Sequence, residues 1–304
     1  MTVRRSAPRV SIGLPVYNGE RHLAQTLHSI AAQTFGDFEL FICDNASTDA
    51  TGEIARAFAA RDPRARYVRH PTNIGLGRNF RSGLERATGQ YFKWATHDDP
   101  LGPEFLARCI DVLDRDPSVV LAYPRTKLID AEGTVISEYD NRLHLPYLTA
   151  AERFAALHQR LRLCNAQLGV IRADVLRRIA PYGTYVASDI CLLAELTLYG
   201  KFWEVPEFLF FRRFHEDASS HKSSAELQAY YEPGRPPRAS MRTWRHMWEH
   251  ALAVNRAPLP ILEKARLGWF LVRMAAYRRD GLAREIGAAL RQWLRGQATD
   301  VPLG

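Results

Sequence analysis

The sequence predicts an α/β fold in which a doubly wound, mostly parallel sheet carries helices on both faces, followed by a helical C-terminal region. Four short β-rich runs alternate with segments whose apolar residues recur at helical spacing, a pattern typical of parallel βαβ units. The chain has 304 residues, 46% of them hydrophobic, which is enough to bury a sizeable core. Charge distinguishes a second region, because residues 221–304 contain 14 Lys and Arg against 7 Asp and Glu.

In the first hundred residues, predicted strands and helices alternate without interruption. A strand at 10–14 precedes an amphipathic helix at 20–33, where Leu23, Leu27 and Ile30 share one face. Right-handed crossovers between parallel strands place all the strand ends along one rim of the sheet. The other expected strands lie at 38–43, at 67–68 and from 91 to the carboxylates at 98–99. Two further helices are expected, one that ends near residue 60 and one that contains residues 78–84.

Beyond residue 100 the pattern is less regular. Residues 127–150 permit no confident strand assignment, and the polar, proline-containing stretch 219–240 is interpreted as a linker or mobile loop. The remaining elements are expected as strands at 119–123, 165–171, 202–205 and 208–211, and as helices at 104–113, 174–179, 189–198, 241–254, 259–279 and 282–295.

Cysteine usage and hydropathy indicate a cytoplasmic protein. The four cysteines, Cys43, Cys109, Cys164 and Cys191, form no CxxC pair, which favours free thiols over a disulfide framework or a zinc site. The first nine residues carry charge with no apolar core after them, so we expect no signal peptide. No run approaches the roughly 20 apolar residues of a membrane span, which leaves a soluble protein or one peripheral at the inner face of the membrane.

Acidic residues follow two of the predicted strands. The aromatic run from Tyr91 stops at Asp98, Asp99 and Pro100, because proline cannot continue a β-ladder. Asp44 ends the second strand, so these carboxylates should face one crevice at the edge where α/β proteins bind ligands. Adjacent carboxylates repel, and a divalent cation that also holds a diphosphate relieves the repulsion. Alternatively, the pair is a solvated turn that caps the next helix.

The two common glycine-rich phosphate loops are missing from the sequence. No GxGxxG follows the first strand and no GxxxxGK[ST] occurs, so phosphates would be held by a metal or by basic side chains. Asp44 could accept a hydrogen bond from the ring N–H of uracil, thymine or guanine, and Tyr17 could stack on that base. Asp98 could hold a divalent cation between two phosphates, where it would neutralise charge on a departing nucleoside diphosphate.

Four short motifs of polar and aromatic residues follow the predicted strands. They are Pro15-Val-Tyr17-Asn18, Asp44-Asn45-Ala-Ser47-Thr-Asp49, Asn73-Ile-Gly75 with Arg78-Asn79, and Thr96-His97-Asp98-Asp99. In this order and spacing the sequence resembles glycosyltransferase family 2 over residues 10–215. The resemblance implies the GT-A fold and a metal-assisted, inverting sugar transfer. It also implies a catalytic domain at 1–219, with a nucleotide-sugar half to about residue 100 and an acceptor half after it, before a linker and basic helical region at 220–304.

The resemblance assigns roles to individual residues. Asp189, at the start of a helix after a glycine-containing loop, would deprotonate the acceptor hydroxyl; the alternative is a first-turn acid favoured by the helix dipole. Asp98, Asp99 and His215 would hold Mn²⁺ or Mg²⁺, although a structural histidine is an equal alternative at 215. Arg212 and Arg213 would contact the diphosphate. The donor nucleotide would be contacted by Pro15, Tyr17, Asn18, Glu20, Asp44, Asn45, Asn73, Gly75, Arg78, Asn79, Thr96, His97 and Asp98.

Two positions, Thr96 and Ser188, depart from the family pattern, and His97 occupies its variable position. Thr96 stands where the family commonly has an aspartate that contacts the ribose, so this contact would be weaker here or made by Thr96. At the variable position His97, a surface or packing role is favoured over metal ligation. Ser188 replaces the glutamate that usually precedes the base.

The basic C-terminal region contains four of the six tryptophans, Trp244, Trp248, Trp269 and Trp293. Basic helices with aromatic residues suit contact with an anionic lipid surface, as expected for enzymes with lipid-linked acceptors. Packing on the catalytic domain and a homodimer contact are the alternatives. Nucleic acid is not an expected partner, because no recognition motif accompanies the charge.

The sequence therefore predicts a glycosyltransferase that moves a sugar from a UDP, dTDP or GDP sugar to a carbohydrate, lipid-linked or small-molecule acceptor. Its pathway would be glycan, cell-envelope or glycosylated natural-product biosynthesis. The alternative is a non-catalytic nucleotide-sugar or glycan-binding module on the same fold, which the joint presence of Asp44, Asp98 and Asp189 argues against. A nucleotidyltransferase would need a glycine-rich N-terminal loop followed by a lysine, and the sequence lacks it.

Overall fold

A computed structural model describes residues 7–215, 223–234 and 241–299, and within them the chain is organised around one eight-stranded sheet. The strands are β1 Val10–Val16, β2 Phe38–Asp44, β3 Ala65–Arg69, β4 Tyr91–Trp94, β5 Val119–Ile129, β6 Val135–Tyr139, β7 Val170–Arg172 and β8 Lys201–Arg213. The strand order is β3-β2-β1-β4-β7-β5-β6, and β8 pairs with β5.

Most neighbouring strands are parallel, as the sequence predicts. β1 pairs in parallel with β2 and β4, β2 with β3, and β5 with β8, whereas β6 and β7 run antiparallel to their neighbours. β1 and β2 are buried along their whole length, because their continuous apolar runs are covered on both faces. The mostly parallel α/β architecture is confirmed.

Helices connect the strands and extend the chain beyond them. They are α1 Glu20–Ala31, α2 Thr51–Arg61, α3 Leu76–Arg86, α4 Phe105–Arg115, α5 Ala150–Arg160, α6 Ala173–Leu176, α7 Ser188–Tyr199, α8 Ser224–Tyr231, α9 Arg242–Arg256, α10 Ile261–Tyr277 and α11 Arg279–Thr299. α3 lies directly on the central strand β1, since a Cβ added to Gly83 would come within 2.7 Å of the Gly13 Cα. This close approach brings the start of α3 to the carboxyl end of the sheet.

Asp98 and Asp99 lie in a turn after β4, called the acidic turn below. Its position relative to β4 differs from the prediction. The ladder between β1 and β4 runs only from Val10 and Tyr91 to Gly13 and Trp94. β4 therefore ends at Trp94, and Asp98 lies in the loop that follows rather than at the last position of a strand. The carboxylates still lie at the predicted rim of the sheet.

Several elements in the second half also differ from the sequence-based prediction. The 165–171 segment begins as a 3₁₀ helix, Asn165–Leu168, and only its end joins the sheet as β7. The two strands expected at 202–205 and 208–211 form the single strand β8, whose pairing with β5 shifts register near Pro124. The unassigned stretch 127–150 contains β6 and leads into α5. The expected linker 219–240 is described only at 223–234, and most of that part is α8.

The C-terminal helices pack against the sheet-bearing part through α5 and α7. Arg256 of α9 forms an ion pair with Glu195 of α7 at 2.8 Å, and Phe270 of α10 packs edge-on against Phe154 of α5. Their outer faces expose large apolar side chains, including Trp248 and Trp269. Among the helices that the structure describes, none combines the length and apolar character needed to cross a bilayer.

Candidate functional site

A crevice of about 680 Å³ opens at the carboxyl ends of the central strands. It is bounded by the loops after β1 and β4, the 3₁₀ helix, the start of α7, the end of β8 and helix α8. The structure brings most of the sequence-predicted site residues to this crevice, and those that line it are Pro15, Tyr17, Asn18, Asn45, Asn73, Asn79, Thr96, His97, Asp98, Asp99, Asp189, Arg212, Arg213 and His215.

Four predicted donor-binding residues do not line the crevice: Glu20, Asp44, Gly75 and Arg78. Glu20 accepts a hydrogen bond from the Ala50 amide at the start of α2, and the Arg78 side chain is exposed. Gly75 has a φ of 84°, in the region that favours glycine. Contact between these four residues and a nucleotide stays a prediction.

Asp44 lies fully buried beneath the crevice wall. One carboxylate oxygen accepts from the Ser47 amide at 2.8 Å, and the other accepts from the Tyr67 hydroxyl at 2.6 Å and from Arg69 at 2.7 Å. Burial opposes ionisation, but the hydrogen bonds from Ser47, Tyr67 and Arg69 lower the pKa of Asp44 overall. Asp44 therefore stabilises the loop after β2 as a carboxylate.

Two asparagines join the loops that follow β1, β2 and β3. Asn45 donates to the Asn73 side chain at 2.8 Å and accepts from the Ile74 amide at 2.8 Å. Asn18, which has a φ of 50°, accepts from the Thr48 amide at 2.9 Å. These contacts connect the loops after β1, β2 and β3 into one surface, so three of the sequence motifs form a single hydrogen-bonded unit.

The acidic turn is held by hydrogen bonds that give its two carboxylates different roles. Asp99 accepts from the Thr96 hydroxyl at 2.6 Å and from the Arg213 amide at 2.7 Å, so both of its oxygens are engaged. Asp98 contacts the His215 ring, with 3.0 Å between Oδ2 and Nε2. Thr96 thus orients Asp99, a role different from the ribose contact considered for it.

The charge of the acidic turn follows from these contacts. Burial and then the neighbouring Asp98 carboxylate raise the pKa of Asp99. Burial also opposes ionisation of Asp98, but electrostatic interaction with His97 and the hydrogen bond with His215 lower its pKa overall. Asp98 is therefore the member of the pair that carries the negative charge.

Asp98 and His215 supply a carboxylate and an imidazole, a donor set that suits Mn²⁺ or Mg²⁺ when diphosphate oxygens and water complete the coordination. Within the described ranges, no group of three His, Cys, Asp or Glu side chains is arranged to hold a metal ion. The residues present thus fit a cation shared with a ligand. Because both Asp99 oxygens are engaged, we assign Asp99 to supporting this pair.

The two predicted diphosphate residues differ in their contacts. Arg213 is buried and donates to the carbonyls of Asp98, Asp130 and Ala131 and to the Gln25 side chain. Its guanidinium is occupied by these protein groups and acts as a structural anchor, so a diphosphate contact at this residue is not favoured. Arg212 donates to Asn165 at 2.5 Å and lines the crevice, where its positive charge faces the space for a ligand.

Asp189 lies in the first turn of α7, as predicted, and its side chain lines the crevice. Ala187, two residues before Asp189, has a φ of 61°, a left-handed conformation that is uncommon for a residue with a side chain. The loop before it packs against the start of α3, since a Cβ on Gly77 would lie 2.2 Å from the Gly183 carbonyl oxygen. The position of Asp189 therefore depends on contact between the two halves of the fold.

Sequence reasoning missed one whole wall of the crevice. Helix α8 contributes Leu227, Tyr230 and Tyr231, and Tyr231 is buried. Burial, with further contributions from the charges of Asp98 and Tyr17, raises the pKa of Tyr230 to about 12. The adjacent tyrosines in an otherwise polar segment were the available signal. The 3₁₀ helix was missed as well, although its Asn165 fixes Arg212.

Comparison with known proteins gives the following matches. The family model described as Glycosyl transferase family 2 matches residues 11–179. Chondroitin synthase of Escherichia coli is 34% identical over 136 residues, which are 45% of this chain and 20% of that protein. The chain thus covers only a small part of this relative's length.

Solved structures show a similar fold. S. aureus TarS, residues 1–349 in complex with UDP, aligns with a TM-score of 0.62 and 19% identity over 90% of this chain and 74% of that one. The mannosyltransferase PcManGT from Pyrobaculum calidifontis, in complex with GDP-Man and Mn²⁺, aligns with a TM-score of 0.50 and 17% identity over 94% and 87%.

Proposed function

The chain belongs to glycosyl transferase family 2, and on this basis we propose that it transfers a sugar from a nucleotide diphosphate sugar to an acceptor hydroxyl with inversion at the sugar carbon. The observation that carries the proposal is that one crevice contains two acidic centres with different surroundings. Asp98 is half-buried and contacts the His215 ring, whereas Asp189 is half-buried in the first turn of α7, on a different wall of the crevice. One centre suits a cation and the other suits a proton acceptor.

The donor would lie along the loops after β1, β2 and β4, where Tyr17 and the joined asparagines form the surface. TarS is described with UDP and PcManGT with GDP-Man, which supports a nucleotide donor of this class. A divalent cation held by Asp98 and His215 would neutralise charge on the departing diphosphate. Arg212 would add a fixed positive charge close to the same group.

Asp189 would remove the proton from the acceptor hydroxyl as its oxygen attacks the anomeric carbon from the face opposite the diphosphate. The new carbon–oxygen bond forms while the bond to the diphosphate oxygen breaks, and the nucleoside diphosphate leaves with the electron pair. A carboxylate suits this role because it accepts a proton without further activation. The acceptor would enter between α7, the 3₁₀ helix and the C-terminal helices.

The decisive experiment compares Asp189→Asn with the wild type. We expect loss of transfer with nearly unchanged nucleotide affinity, since the amide keeps the shape of the side chain but cannot accept the proton. Asp174→Asn serves as the matched control, because Asp174 is an exposed first-turn acid of α6 outside the crevice. Turnover by Asp189→Asn at the wild-type rate would refute the assignment of the base.

The donor and metal can be tested together. A thermal-shift panel of UDP, dTDP and GDP sugars with and without Mn²⁺ should reveal one donor that raises the unfolding temperature, because it binds only the folded state. His215→Ala should weaken the dependence on metal, and an unchanged metal affinity would contradict ligation by His215. Donor binding without hydrolysis or transfer under any condition would support the non-catalytic binding module instead.

A further inference from the structure

A second cavity of about 310 Å³ lies between α5, α9 and the end of α10. Three histidines line it, His158 on α5 and His246 and His250 on α9, together with Arg242 and Arg278. One water molecule takes up about 30 Å³ in the liquid, so this space has room for roughly ten waters. It is therefore large enough for a ligand group and not only for an ion.

The histidines bring unused hydrogen-bonding capacity to the cavity. His246 is 5% exposed and His250 2% exposed, and the ring centroids of His158 and His250 are 4.8 Å apart. In the described part of the chain, one buried nitrogen of each ring lacks a hydrogen-bond partner: Nε2 of His158, Nε2 of His246 and Nδ1 of His250. Buried polar atoms without partners cost about 1–3 kcal/mol each, so a polar ligand that hydrogen-bonds to these nitrogens would gain affinity from them.

The charge of the cavity is positive. Within residues 7–215, 223–234 and 241–299, the guanidinium groups of Arg242 and Arg278, two exposed residues, form no side-chain hydrogen bond and no ion pair. The nearby carboxylate of Glu285 is engaged by the backbone amides of Thr243 and Trp244 at the start of α9. The two guanidinium groups are thus left to attract an anion, for which arginine is geometrically suited.

His158 and His250 contribute neutral rings to the cavity near neutral pH. Burial, and then the charges of Arg278 and His246, lower the pKa of His158 to about 4. Burial also lowers the pKa of His250. No three side chains here, or elsewhere among the described residues, have the arrangement of a metal site, and the arginines would repel a cation. The chemistry of the cavity therefore favours an anionic ligand.

The cavity adjoins the crevice of the donor. Ile190 and Arg242 line both spaces, and Ile190 directly follows Asp189. We propose that this cavity binds an anionic group of the acceptor, a phosphate or a carboxylate, and thereby holds the attacking hydroxyl beside Asp189. The proposal rests on the proposed function in one respect, the role of Asp189 as the base. It assigns the acceptor to the class of anionic glycans or phosphorylated molecules.

Direct binding tests the cavity independently of catalysis. Isothermal titration with inorganic phosphate should show a binding component that Asp98→Ala retains and that Arg278→Gln weakens at least tenfold. Arg279→Gln is the matched control, because Arg279 is the next residue and is exposed like Arg278 but is outside the cavity lining. Equal phosphate affinity in Arg278→Gln and in the control would overturn the proposal.

Kinetics then identify the acceptor class. With a donor that the enzyme turns over, the wild type should show a higher kcat/KM for a phosphorylated or carboxylated acceptor than for its neutral analogue. Arg278→Gln should reduce that preference at least tenfold, mainly through a higher KM for the anionic acceptor. A wild type with no preference would overturn the anion site while leaving the transferase in place. If no donor is turned over, the proposed function fails, and the phosphate titration still decides whether the cavity binds an anion.

Discussion

Replacing Lys93 with methionine should make the stability of the folded chain less dependent on pH above neutrality. Lys93 lies on the buried strand β4 and is fully inaccessible to solvent. Its Nζ donates to the Leu168 carbonyl and lies 4.0 Å from the centroid of the Phe105 ring. Among the described residues it forms no ion pair with a carboxylate. Burial therefore lowers its pKa from 10.5 to about 7.

The size of the effect follows from that shift. A change from 10.5 to about 7 corresponds to a cost of about 5 kcal/mol for the charged form in the folded state. Between these two values the unfolded chain binds more protons than the folded one, so the free energy of unfolding rises with pH. From about pH 7.5 to about pH 9.5 the wild type should gain about 2–3 kcal/mol that the variant does not gain. Methionine also leaves the Leu168 carbonyl unpaired, which costs about 1–3 kcal/mol at every pH.

Urea unfolding at a series of pH values measures this difference. Near pH 7.5 we expect Lys93→Met to be the more stable protein by about 1–3 kcal/mol, and near pH 9.5 the two should be similar. Lys127→Met is the control, because Lys127 is partly exposed and 3.9 Å from Glu138, and it should keep the pH slope of the wild type. Parallel curves for Lys93→Met and the wild type would refute the reasoning that Lys93 is buried without a compensating charge.

Three further outcomes are expected. Gly77→Ala should reduce transfer by about 10- to 100-fold and also lower the melting temperature, because its methyl group would displace the loop at Gly183 that carries the proposed base; unaltered kinetics would contradict this coupling. Asp44→Asn should lower the free energy of unfolding by about 2 kcal/mol at neutral pH, and the loss should shrink as acid protonates the wild-type carboxylate below its ordinary pKa of 3.8, since the folded value is lowered. The wild type should float with anionic liposomes at low salt and separate from them at high salt, and Trp248→Gln should float less. A dimer that light scattering detects at both salt concentrations would instead assign the exposed apolar face of the C-terminal helices to contact with a second copy of the chain.

The sequence was most informative where burial is continuous. β1 and β2 are buried along their whole length and mostly apolar, so their runs were recognisable without knowledge of any neighbour. β6 is exposed on both faces at the edge of the sheet and has no periodic pattern, which is why residues 127–150 remained unassigned. The start of α5 was readable in principle, because Thr149 and Glu152 form a capping box with the spacing that the sequence shows.

The site was predictable where its residues follow a strand and not where distant elements meet. The position of Asp98 beyond a predicted strand was recognisable locally, whereas the role of Asp189 and the pairing of Asp98 with His215 were implied by the family resemblance. The contact of Asp99 with Arg213 was not predicted, since Arg213 reaches the acidic turn from more than a hundred residues away. The tyrosines of α8 carried no helical pattern that would have placed them over the crevice. The histidine cavity likewise combines α5 with α9, a pairing that no spacing in the sequence reveals.

Arg213 has a consequence for building chimeric enzymes from this chain. It joins the acidic turn to the β5–β6 turn and, through Gln25, to α1, so a residue of β8 fixes the geometry of the first hundred residues. An exchange at about residue 100 would cut through this junction, and the crossover point is itself held to β8 by backbone hydrogen bonds at Pro100 and Gly102. A graft that is meant to change the acceptor should therefore keep Arg213, Gln25 and the β5–β6 turn from the same parent, because the arrangement of a site is only as rigid as the residues that support it.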